Sequence, residues 1–228
     1  MSFQKIQFKN QIIEPVSNIH KETLNDNDFT KILKYLNAIL EIHEKLEKEE
    51  SEMLQIWNDI VSDIIGAIYS ATSGFYRLSL ASLRGTLELA CGSIYYLDHK
   101  IEYFMYREND SKADKYVNTL VNEHSFFTTK YIKFFYNDIE IEQANTDSVS
   151  NYLKNLYSTL CDIVHGRYKT LTMTQSVNIK YDKKLFKRFE KILFETLSII
   201  AVLYILRFNY KESKELIELA NYSKVVKF

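Results

Sequence analysis

Apolar positions recur at helical spacing over most of this chain, and the breaks between them are short and polar. The stretch around which the rest is organised is Gly74 to Leu97, apolar on nearly every face, which predicts a helix buried on most sides. Before it, Ile32, Leu36, Ile39, Leu40 and Leu46 mark one amphipathic helix over about 29–49, with Asn25, Asp26 and Asp28 as caps. Trp57, Ile60, Ile64 and Ile68 mark a second, which starts near Ser51 and ends near Ser73-Gly74. Residues 100–136 read as one or two amphipathic helices broken around 108–111, and 138–148 as a polar, acidic loop. Leu153, Leu156, Tyr157, Leu160 and Val164 predict a helix from about Val149 to His165, stopped by Gly166. A last long helix follows over about 184–208, then a short one over about 212–222.

Two stretches alternate instead. Phe3, Ile6, Phe8 and Ile12 lead to Pro15, so residues 1–25 are expected to be an extended arm or edge strand. Leu171, Met173, Val177 and Ile179 fit a small β-hairpin near 169–181 or an extended loop. The fold class is therefore all-α: a bundle of about six to eight helices, one domain over 26–228, with the arm at 1–25.

Composition supports this. One Pro and five Gly in 228 residues leave few forced breaks. A formal net charge of -1 gives no global basic field of the kind that announces a nucleic-acid binder, although a local patch remains open. Cys91 and Cys161 sit in apolar helical patterns and read as two buried thiols. Ile192 to Phe208 is strongly apolar, but Glu195 and Arg207 confine its clean run to Leu197–Leu206, short of the roughly 20 residues of a membrane span. No secretory signal pattern opens the sequence, so a cytoplasmic location and no membrane partner are expected.

Three charges interrupt the central helix. Arg84 and Glu88, four residues apart, share a face and can pair, while Arg77 is expected to reach solvent near the helix start. An ion pair in an apolar helix is costly unless well partnered. On the later helix, Ser158, Cys161 and His165 form a second stripe, which brings His165 and the neighbouring Arg167 into consideration. A His and an Arg together suffice for metal-independent RNA cleavage, one moving a proton and the other holding phosphate. The candidate catalytic set is Arg84, Glu88 and His165. The plainer reading makes the same residues a satisfied polar core. Arg167, Lys184 and Arg188 are the phosphate-binding candidates, the last two from the basic stripe that opens the last long helix. No phosphate-cradling glycine loop, CxxC pair or HExxH motif occurs, so no cofactor and no metal ligand set are assigned. Along the central helix, Ser79, Ser82, Thr86, Ala90 and Ser93 form a small-residue stripe suited to close helix approach, within the chain or across a dimer.

GFYRLSLASLRGTLE, ending at Glu88, and YSTLCDIVHG, from Tyr157 to Gly166, resemble stretches of bacterial HEPN-like helical proteins. The helix order agrees over roughly 60–208. The resemblance implies a helical bundle, a homodimer or helical protein partner, and a role in toxin–antitoxin or anti-phage defence systems. It also implies RNA as the molecule bound or, in active members, cleaved without metal. Those active members carry an Arg about four to six residues before a His on one helix. This chain departs from that pattern, because no Arg lies between Ser158 and Val164. The function expected is thus a HEPN-like protein that binds or cleaves RNA, with a non-catalytic helical interaction module as the alternative.

Overall fold

The computed structural model describes residues 4–49, 51–135, 148–167, 179–209 and 213–228. These are helical throughout, with no strand among them. The long helices are α3 (Thr30–Lys48), α4 (Leu54–Thr72), α5 (Tyr76–Asp98), α9 (Ser148–Val164) and α10 (Lys183–Phe208). Shorter ones are α1 (Lys5–Phe8), α2 (Glu14–Asp26), α6 (Lys100–Arg107), α7 (Val117–Glu123), α8 (Thr129–Lys133) and α11 (Lys214–Asn221).

The N-terminal segment corrects the expectation of an extended arm. Helix α1 runs through a π-helical turn, Lys9–Ile13, directly into α2. Pro15 explains the wide turn. It has no N–H to offer, and its ring would crowd the carbonyl one regular turn earlier. The chain relaxes so that the Glu14 N–H bonds the Lys9 carbonyl, five residues back. The hairpin expected near 169–181 falls mostly outside the described residues, and its described part, 179–181, is not strand.

Helix α5 is the centre, packed by α4, α9 and α10. Every residue of α10 from Ile192 to Leu206 except Glu195 is buried. The small-residue stripe packs within the chain: Ser79, Thr86, Ala90 and Ser93 are fully buried, and the Ser93 hydroxyl lies 2.9 Å from Tyr204 of α10. A directed chain of hydrogen bonds ties three helices there. The Trp57 indole N–H of α4 donates to the Tyr204 hydroxyl. Ser93 donates to the Ala90 carbonyl at 2.8 Å, so Tyr204 must donate to Ser93. Buried polar groups that are fully paired in this way fix a core's arrangement instead of weakening it.

Ends are capped by side chains where the sequence offers them. Asp182 accepts from the Lys184 and Leu185 amides at the start of α10, while Asn209 ends the helix in the left-handed conformation. The Tyr76 hydroxyl at the start of α5 accepts from the Asp182 amide at 2.9 Å. The α5 start and the α10 start therefore meet at one end of the bundle. Among the described residues, no helix is long and apolar enough to cross a membrane.

Candidate functional site

Helices α5 and α9 run antiparallel, and two arginines two turns apart on α5 meet positions two turns apart on α9. Arg77 donates to the carbonyl of Val164, the last residue of α9, at 2.9 Å. A guanidinium at that end satisfies an otherwise orphaned carbonyl and complements the negative end of the helix dipole. Arg77 is thus drawn into the α5–α9 seam; it does not reach freely into solvent. Arg84, further along α5, reaches the Cys161 sulfur through Nε at 3.2 Å. Its Nη2 donates to Glu88 Oε1 at 3.0 Å and to the Tyr157 hydroxyl at 3.0 Å. Tyr157 in turn donates to the same Glu88 oxygen at 2.5 Å.

These four side chains close on one another, with Arg84 also lying over the Tyr157 ring at 5.3 Å from its centroid. The Arg84 and Glu88 side chains keep only 22% and 19% of their surface, so the pair is largely withdrawn from water. Burial by itself disfavours the guanidinium charge, but the bonds to Cys161 and Glu88 outweigh it and raise the Arg84 pKa. Burial, followed by the Glu88 carboxylate, pushes the Tyr157 phenol well above its ordinary range. Both shifts favour one protonation state, charged arginine with neutral phenol, and that state is the one that holds the seam together.

Of the sequence-predicted site residues, Arg84 and Glu88 come together as expected. His165 does not join them. The helix ends at Val164, the chain turns through Gly166 at φ +61°, and the imidazole stands exposed on that turn. Cys161 is half-buried against Arg84, whereas Cys91 is fully buried and its thiol pKa is raised by burial. Tyr157, missing from the predicted set, completes the cluster. Its signal was available: Tyr157 and Cys161 repeat on α9 the four-residue spacing of Arg84 and Glu88 on α5.

The phosphate-binding candidates lie apart from this cluster. Arg167 pairs with Asp162 at 2.8 Å. On the basic stripe, Lys183 pairs with Asp26, Lys187 with Glu190 and Lys191 with Glu195, which offsets much of its charge. Lys184 and Arg188 make no ion pair with the described residues. Among the described residues, no three His, Cys, Asp or Glu side chains gather as a metal-binding group. Compared with protein-family models, curated proteins and solved structures, the chain matches none.

Proposed function

We propose that this chain is a non-catalytic helical interaction module in which Arg84, Glu88, Tyr157 and Cys161 form a structural clasp between α5 and α9. The observation that carries this reading is the saturation of Glu88 Oε1, which accepts from both Arg84 and Tyr157. That oxygen, engaged twice, and an arginine engaged three times commit these side chains to one another across the α5–α9 seam. Ile65 on α4 and Leu78 on α5 each expose half their surface or more and supply apolar anchors for a helical partner, a second copy included.

A second reading, a HEPN-like protein of a bacterial defence or toxin–antitoxin system that binds or cleaves RNA, draws on a different set of residues. Arg77 bonded to Val164 stands beside the His165 turn, with Arg167 just beyond. The start of α10, with Lys184 and Arg188, joins the same end of the bundle through the Tyr76–Asp182 bond. In this reading His165 and Arg77, not Arg84, would handle the phosphate.

One assay separates the two. RNA cleavage without added metal is measured for wild type, His165→Ala, Arg77→Ala and Arg84→Met, each checked for folding by circular dichroism. The clasp reading expects no cleavage by any of them, with Arg84→Met altered in stability alone. Cleavage by wild type that disappears in folded His165→Ala and Arg77→Ala would overturn it.

A further inference from the structure

Helix α2 and the π-helical turn before it lie beside the α4–α5 connection and enclose a groove of about 580 Å³. That volume is within the range of sites for small organic ligands. Its walls are mostly aliphatic, from Ile12, Ile13, Val16 and Leu24, closed on the other side by Tyr69 and Phe75. Ile13, Leu24 and Tyr69 expose 54%, 54% and 63% of their surface, an unfavourable display unless something covers them. Ile12 and Ile13 belong to the π-helical turn before Pro15 and form one end of the groove wall.

Polar groups enter the groove at one level. The Ser73 hydroxyl has a single proton and lies 2.8 Å from the Tyr69 carbonyl, which can only accept. Ser73 therefore accepts from His20 Nε2–H at 2.9 Å, and the imidazole is further held against the Tyr69 ring with centroids 5.0 Å apart. This orientation leaves Nδ1 as the uncommitted ring nitrogen, without a partner among the described residues. Lys21 lines the same groove and makes no ion pair with the described residues. The nearby acids are turned to other work: Glu14 pairs with Lys9 at 3.7 Å, and Glu22 lines a separate hollow with Asp26 and Tyr181.

We propose that this groove binds an unbranched aliphatic carboxylate of medium chain length. The carboxylate pairs with the Lys21 ammonium at the mouth of the groove, and the chain lies along Val16 toward Ile12 and Ile13. From Lys21 to Ile12 the helix advances roughly 13 Å, enough to shield an extended chain of that size. The charge argument selects an anion over a cation, and the aliphatic walls select a hydrocarbon tail over a polar one. The site shares no residue with the α5–α9 clasp and stands whether or not the clasp is structural.

The test is isothermal titration of the full chain with decanoate, decan-1-ol and decyltrimethylammonium. Wild type is expected to bind decanoate saturably at one site and decyltrimethylammonium at least about tenfold more weakly. Lys21→Glu should weaken decanoate about tenfold or more while leaving decan-1-ol within about twofold. Ile13→Asp, at an exposed position that tolerates a polar side chain, should abolish both without changing the melting temperature. Absence of saturable decanoate binding overturns the proposal, as does binding unchanged in Ile13→Asp or equal affinity for the cationic amphiphile. Sedimentation that shows a dimer dissociated by Ile13→Asp but not by decanoate also overturns it and gives the groove to a second copy of the chain.

Discussion

The Tyr157 hydroxyl lies 2.5 Å from Glu88 Oε1, an oxygen that also accepts from Arg84. A phenol aimed at a carboxylate already held by a guanidinium makes a strong, charge-assisted bond in a site with little water. Tyr157→Phe removes that hydroxyl while keeping the ring that Arg84 covers. It is expected to lower unfolding stability by about 1–2 kcal/mol in urea, with the slope of the transition unchanged. A loss within error would mean that the bond is replaced by water at no cost.

Much of the helical framework is legible in the sequence because its signals agree. Helices α3, α4, α5, α9 and α10 each pair a helical apolar period with a polar break, and their observed ends differ from the expected ones by a few residues. The N-terminal helix was hidden because only Ile19 and Thr23 of α2 are buried, so no continuous apolar stripe marks it. Pro15 then mimics a break, although a proline near a helix start is tolerated. His165 leaves the cluster for a different reason. Its seven-residue spacing from Ser158 continues the stripe only if the helix does, and Gly166 lets the chain leave it one residue too soon. Tyr157 lies on the apolar stripe of α9, where its ring accounts for the pattern, and only its four-residue spacing to Cys161 hints that its hydroxyl is bonded.

The glycines on α4 and on the α4–α5 connection should respond in opposite directions. A Cβ at Gly66 meets nothing within 4 Å, so Gly66→Ala in the helix interior is expected to stabilise by about 0.5–1 kcal/mol. At Gly74, φ is +83° and a Cβ would come within 2.9 Å of the Lys180 carbonyl oxygen. Gly74→Ala should cost about 1–3 kcal/mol, read from thermal or urea unfolding beside the Gly66 variant.

Asp63 on α4 faces the backbone of Gly85, whose added Cβ would touch its carboxylate at 3.4 Å. Burial, followed by the charge of Asp59, raises its pKa above 3.8. A carboxyl whose folded pKa is raised costs nothing below its unfolded value and opposes folding once pH passes the folded value. Asp63→Asn should therefore raise the melting temperature at pH 7, and the gain should vanish below about pH 3.8. An equal gain at both pH values would show that charge is not its source.

Alkaline pH should unfold the protein through its phenols. Burial pushes Tyr35 and Tyr131 up from 10.0 to about 12. Above pH 10 the unfolded chain then binds fewer protons than the folded one, so stability falls with rising pH across that window. Absorbance titration of tyrosinate is expected to begin on phenols other than Tyr35 and Tyr131. A late, cooperative step coincident with loss of helical circular dichroism should follow. Smooth titration of every tyrosine near pH 10, with the helix signal intact, would contradict the burial assigned here.

The claim that the polar cluster is a clasp between helices, and not a reaction centre, is tested most directly by a double-mutant cycle. Urea unfolding is measured for wild type, Arg84→Met, Glu88→Met and the double variant. Each single change strands a partly buried charge and should cost about 1–3 kcal/mol, while the double variant should fall short of their sum by about 1–2 kcal/mol. Two singles within about 0.5 kcal/mol of wild type, with additive effects, would contradict the account and point to side chains retained for contacts outside the fold.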